Sequence, residues 1–324
     1  AWNGRVYYSH TDGVSGRELW RTNGAATQIV DELNPGPGDG VGDDIYFAEG
    51  LPGQLFFTTD PDGYSFPQVQ ERNLYVTAGA PGLGTTILAD PASTVVPSGT
   101  MTMFGANLML GGFDEFGYSN GGGTNLGTEL MQFNGTNIVL AADMVPGIGS
   151  SSPGFFYTFG SKMYMQARNG DNNAELWIWD GTTATEMILN TVVTPSFQAS
   201  SSPTNFFGHN GNLYFVADVN LDETGGDVGK ELCVYDGVSA LPTVIDIYAG
   251  AGRDSMTTTP TGEIFALDAT RVVFQANGDL NRAGVSGRSL WESDGTSAGT
   301  HLAYDLRPAS TSNGPSKIFG VRNV

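Results

Sequence analysis

The chain has 324 residues, with 34 acidic against 14 basic side chains and a formal net charge of −20. A surface this acidic repels nucleic acid and anionic lipid, which excludes both as partners. Only 15% of the residues are charged, 40% are hydrophobic and 46 are glycine, a composition that predicts a packed, turn-rich, all-β fold rather than a solvated polyanion.

Taken in chain order, the predicted elements recur. The first segment, AWNGRVYYS, is strand-like, which fits a leader already removed, and it leads to GRELWRTNG at 16–24. Related segments follow as ERNLYVTAG at 71–79, GTELMQFNG at 127–135, AELWIWDG at 174–181, GKELCVYDG at 229–237 and GRSLWESDG at 287–295. Their central leucines are residues 19, 74, 130, 176, 232 and 290, so the repeat comes at about 50 residues. The fifth unit shows the internal order: strand A in TNFFGHN, strand B in GNLYFVA, a polar loop, strand C in KELCVYDG and strand D in PTVIDIYAG. Asn-Gly and Asp-Gly pairs supply the positive φ that tight hairpins need.

Four short antiparallel strands repeated six times predict a six-bladed β-propeller, one domain spanning 1–324. The first unit begins at strand B, and the chain finishes on KIFGVRNV, which reads as a strand A. The C-terminal strand is therefore expected to complete the first blade and close the ring, removing exposed sheet edges.

The segments SLWESDGTSAGTHLAYDLRP (289–308), ELWIWDGTTATE (175–186) and ELWRTNGAATQIVDELNPG (18–36) resemble the ELWxxDGT-repeat family of mostly bacterial proteins. Repeats two, three and five depart from the motif: Asn73 replaces Glu, and Met131 and Cys233 replace Trp. The resemblance implies a secreted or cell-surface setting and says little about activity; the strand order is kelch-like as architecture only.

Repetition separates scaffold from candidate site. Glu18, Glu129, Glu175 and Glu231 recur at one position and are read as structural partners, and Trp20, Trp177 and Trp291 as packing residues. Strand D ends at Asp31, Asp90, Asp143, Asp246 and Asp305, with Asn190 in the remaining unit; these are read as turn caps. The lone Cys233 excludes an intrachain disulfide and is expected in the core. No apolar run approaches the roughly 20 residues that span a bilayer, so no membrane insertion is expected.

The loops between strands B and C are long and uneven, and variable loops on a rigid scaffold are where binding sits. Asp218, Asn220 and Asp222 alternate as calcium-loop oxygens do, with Asp227 nearby. Glu223 and Gly229 stand where an EF-hand requires Gly and Glu, so the EF-hand pattern fails and only a looser Ca²⁺ cage is left. Asn277, Asp279 and Asn281 repeat the spacing in the last unit. Tyr64, Phe66, Phe113, Asp114, Phe116 and Tyr118 are the candidate ligand or partner residues of two other B–C loops. His10, His209 and His301 share no ligand motif, and no GxSxG, HExxH or phosphate-loop pattern occurs, so no catalytic residue is assigned. The expectation is a non-enzymatic structural or interaction protein of an extracellular or cell-surface assembly, with protein or glycan as partner. A lectin-like glycan-binding propeller is the alternative, and a carbohydrate-active enzyme using carboxylates from two blades follows it.

Overall fold

The computed structural model describes residues 1–42, 45–50, 53–59, 73–82, 84–89, 96–113, 126–190, 200–220, 229–248, 254–256, 264–277 and 288–304. These form six antiparallel sheets whose strand order follows the chain. The first sheet has three strands, β1 (Val6–Thr11), β2 (Arg17–Thr22) and β3 (Thr27–Asp31), as expected for a unit that begins at strand B. The other five have four strands each. They are β4 (Ile45–Glu49) to β7 (Thr85–Ala89), with β5 (Leu55–Thr59) and β6 (Asn73–Thr77) between, and β8 (Val96–Phe104) to β11 (Ile138–Ala142), with β9 (Asn107–Phe113) and β10 (Thr128–Phe133) between. The fourth is β12 (Gly154–Phe159), β13 (Lys162–Arg168), β14 (Ala174–Trp179) and β15 (Ala184–Met187). The fifth is β16 (Thr204–His209), β17 (Asn212–Asp218), β18 (Lys230–Tyr235) and β19 (Thr243–Ile245). The sixth is β20 (Ile264–Ala266), β21 (Val272–Asn277), β22 (Arg288–Ser293) and β23 (His301–Tyr304). The expected closing strand, 317–324, lies outside the described residues.

By contact the chain divides into two compact units, residues 1–158 with 181–183, and 159–180 with 184–324. In the first, Leu19, Val30 and Val41 pack on Phe57 and Tyr75, whose rings stack 5.0 Å apart. A second cluster joins Phe56 and Leu74 to Leu108, Leu110, Met131 and Phe133. In the other unit, Tyr214, Val216, Leu232 and Val234 pack on Ile264, Val272, Phe274 and Trp291. Each core thus lies between the faces of successive sheets, so the central strands are apolar on both faces. Leu213 to Ala217 of β17 are all fully buried, and so is Cys233, whose thiol burial pushes away from ionisation.

Two features of the repeat, a register slip and the seat of a turn glycine against the neighbouring sheet, have a physical origin that the sequence did not reveal. In four sheets the pairing of strand C with strand D slips by one residue just after the repeat leucine, at Leu19, Leu74, Leu130 and Leu290. The slip leaves an extra residue on the outer strand and strengthens its local twist. The second feature is the glycine of the turn after strand C. Gly295 has φ +93, and a Cβ built there would lie 2.9 Å from Tyr214 Oη of the preceding sheet. Gly79 meets Trp2 and Tyr7 in the same way, and its carbonyl accepts a hydrogen bond from Tyr7 Oη at 2.9 Å. The turn therefore needs glycine both for its dihedral and for its seat on the neighbouring tyrosine. Gly135, at φ +95 with nothing within 4 Å, isolates the first requirement. Gly135→Ala is expected to cost about 1–2 kcal/mol through the left-handed backbone alone. Gly295→Ala is expected to cost more, measured by denaturant unfolding; equal costs would show that the contact with Tyr214 contributes nothing.

Candidate functional site

The repeated glutamates of strand C are scaffold, and the structure shows how. Glu18, Glu129, Glu175 and Glu231 are all fully buried. Each carboxylate accepts hydrogen bonds from the link that leaves strand D. Glu129 takes the N–H of Met144 at 2.8 Å, the N–H of Ser151 at 2.9 Å and the Ser151 hydroxyl at 2.7 Å. Glu175 takes Leu189 N–H at 3.0 Å, Ser201 N–H at 3.3 Å and the Ser201 hydroxyl at 2.6 Å. Glu231 takes Ile247 N–H and Ser255 N–H, both at 3.1 Å, and the Ser255 hydroxyl. Glu18 takes Leu33 N–H at 2.9 Å and Asn34 N–H at 3.3 Å. Gly40 occupies the serine's place there, tight against the Glu18 carboxylate. The cap expected from the strand-D aspartates is thus carried at Asp143 and Asp246 by the neighbouring Glu129 and Glu231, while the aspartates themselves are exposed. The serine carbonyls reach on to the next sheet: Asp218 N–H donates to Ser201 at 2.8 Å and Asn277 N–H to Ser255 at 2.8 Å.

Burial pushes these carboxyls up, against the hydrogen bonds that favour their charged form: Glu175 to about 7 and Glu231 to about 8, with Glu18 and Glu129 shifted the same way.

The loop residues singled out in the sequence are divided. Tyr64, Phe66, Asp114, Phe116, Tyr118, Asp222, Asp227, Asp279 and Asn281 lie outside the described residues. Phe113 ends β9, half-buried. Asp218 ends β17, and its Oδ1 accepts from Asn190 Nδ2 at 3.4 Å. Asn220 is buried, bridges Asn190 in parallel and donates its N–H to Leu189 at 3.0 Å. Asp218, Asn220 and Asn277 therefore tie successive sheets together. Among the described residues no group of three or more His, Cys, Asp or Glu could hold a metal ion.

The described cleft lies elsewhere, on the side of the A–B and C–D turns. It has a volume of about 480 Å³ and forms between β15 with the end of β14 and the 239–241 turn of the next sheet. Lys162, Asp180, Glu186, Tyr235, Ile188 and Leu241 are among its walls. A smaller extension of about 170 Å³ shares Lys162 and Tyr235 and adds Phe159, Tyr164, Asp236 and Val238. Lys162 Nζ donates to the Gly237 carbonyl at 2.7 Å, pinning the turn, and Tyr164 meets Tyr235 edge-on at 6.3 Å. The backbone N–H and hydroxyl of Ser239 and the N–H of Val238 hold the exposed Asp236 carboxyl down to about 2.

Within this cleft Glu186 breaks the repeat. It pairs with Trp177 across β14 and β15. The equivalent strand-D positions of the other five sheets are Ile29, Ile87, Leu140, Val244 and Leu302. A half-buried carboxylate thus replaces an aliphatic side chain once in six sheets, and its Oε1 accepts from Asn169 Nδ2 at 2.8 Å. Asp180, by contrast, is the repeated acid of the C–D turn. The signal for Glu186 was in the sequence, but reading it needs the strand register.

No protein-family model and no curated protein matches the chain. Solved structures do resemble it. An oligogalacturonate lyase from Vibrio parahaemolyticus matches at 11% identity over 92% of this chain and 74% of its own, with a TM-score of 0.50. The β-propeller domain of the Trilobed protease from Pyrococcus furiosus matches at 11% identity over 96% and 81%, with a TM-score of 0.44. A GH74 xyloglucanase from Xanthomonas campestris matches at 10% identity over 92% of this chain, with a TM-score of 0.47; the chain spans 43% of that enzyme's length. At these identities the likeness shows the fold alone, and it agrees with a β-propeller type of architecture. One expectation is corrected: the reading as a non-enzymatic structural component is not kept, because the oligogalacturonate lyase that the chain resembles is an enzyme.

Proposed function

We propose that the chain is the propeller of a carbohydrate-active enzyme and that the cleft beside β15 receives the saccharide. The observation that carries this reading is Glu186, the one carboxylate to replace an aliphatic residue at its repeat position, set in a cleft with a second carboxylate, Asp180. Hydrolysis of a glycosidic bond needs one carboxyl to protonate the leaving oxygen and one carboxylate to activate water or attack the sugar. The likeness to the oligogalacturonate lyase supports carbohydrate as substrate class. An extracellular setting, implied by the ELWxxDGT resemblance, suits such a substrate. The six sheets are the blades of one ring in this reading, with 317–324 as its closing strand; deleting those residues is expected to lower the melting temperature.

The test is release of reducing ends from a panel of oligosaccharides. Glu186→Gln is expected to lower turnover at least about 100-fold, the scale of a lost acid–base group, while leaving the melting temperature within a few degrees. A panel with no turnover and no binding, or full turnover in Glu186→Gln, would sink the proposal.

A further inference from the structure

The cleft and its extension carry three carboxylates, Asp180, Glu186 and Asp236, against one ammonium, Lys162. Lys162 is already engaged by the Gly237 carbonyl. The Glu186 carboxylate is half-buried within walls that include Ile178, Met187 and Tyr235, so its field reaches a bound molecule with less solvent screening than a surface charge. Beside the charges lies an apolar lip: Val238 is 87% exposed, Ile188 46% and Leu241 43%. An anionic sugar meets repulsion both from these carboxylates and from a chain of net charge −20. A sugar with ammonium groups and apolar C–H faces finds a partner for each part of the cleft.

We infer that the saccharide received by this cleft is an amino sugar with free, protonated amines, its ammonium groups paired with Glu186 and Asp180 and its ring faces laid on the Val238, Ile188 and Leu241 lip. This rests on the carbohydrate reading above and narrows it. It also separates this chain from a ligand of the oligogalacturonate kind, whose uronates carry the opposite charge.

Calorimetry at pH 6 with hexamers of glucosamine, N-acetylglucosamine, glucose and galacturonate tests it. The glucosamine hexamer is expected to bind about tenfold more tightly than its N-acetylated counterpart at low salt, the scale of two partly exposed ion pairs. The difference should shrink at high salt. Glu186→Gln with Asp180→Asn should erase most of it. The same loss of charge at exposed positions outside the cleft, Glu49→Gln with Asp171→Asn, should leave it intact. Equal binding of the cationic and neutral hexamers, or equal loss in the two double variants, overturns the inference and leaves the carbohydrate reading standing. Failure of all four hexamers to bind overturns both.

Discussion

Glu231→Ala is expected to destabilise the chain by about 3 kcal/mol, because it strands the Ile247 N–H in the interior and leaves the Ser255 N–H and hydroxyl only the Lys230 carbonyl, at 3.1 and 3.4 Å. The carboxylate is fully buried and is a shared acceptor for Ile247 N–H, Ser255 N–H and the Ser255 hydroxyl. Each orphaned buried donor costs about 1–3 kcal/mol, more than the net worth of the hydrogen bond itself. Ser255 also hands its carbonyl to Asn277 of the next sheet, so the loss loosens two sheets at once. Glu231→Gln, which keeps one acceptor, is expected to fall between the variant and the parent. Glu49→Ala, at an exposed position, should stay within about 0.5 kcal/mol. Urea unfolding measures all three, and a Glu231→Ala midpoint equal to that of Glu49→Ala would show that the buried carboxylate is not a structural acceptor.

The second large effect is on pH. The folded state lifts Glu175 to about 7 and Glu231 to about 8, chiefly by burial, from the ordinary glutamate value of 4.5. Between these values the folded chain holds protons that the unfolded chain has released. Stability then falls as pH rises, since the derivative follows the protons bound by the unfolded minus the folded state. The contribution is fully present below about pH 4.5 and is lost as pH climbs through about 7 and 8. The melting temperature is therefore expected to be higher at pH 5.5 than at pH 8.5. The general repulsion of a chain at −20 acts in the same direction. The two causes separate in the double variant Glu175→Gln with Glu231→Gln. Its profile should flatten between pH 5 and 8, whereas Glu49→Gln with Asp171→Asn, with the same change in charge, should keep the slope. A slope unchanged in the first pair would assign the pH response to surface repulsion alone.

The scaffold was legible because repetition reports local requirements. Six copies of a Leu-centred strand at about 50-residue spacing are enough to predict six sheets in chain order, and the missing first strand was visible in the opening residues. The burial of Cys233 and the structural role of the strand-C glutamates also followed from pattern. The serines that meet those glutamates were not recognised, although Ser150-Ser151, Ser200-Ser201 and Asp254-Ser255 recur. They lie 22 to 26 residues beyond the glutamate, across links of uneven length. A partner at a fixed place in space but a variable place in the chain leaves no fixed spacing to read.

The candidate site was less legible than the scaffold. Long B–C loops drew attention because length marks a permissive surface, and most of their named residues lie outside the described structure. The described cleft instead combines Lys162, Glu186 and Tyr235 from two sheets, on the side of the short turns. Glu186 looks ordinary in ELWIWDGTTATE until the register sets it beside Ile29, Ile87, Leu140, Val244 and Leu302. Sequence alone determined the repeat, the strand order and the acidic character, because these depend on local alternation, turn chemistry and charge count. Only tertiary structure decided how the scaffold glutamates are sealed and which carboxylates face a cleft, because burial depends on what a neighbouring sheet places opposite each side chain.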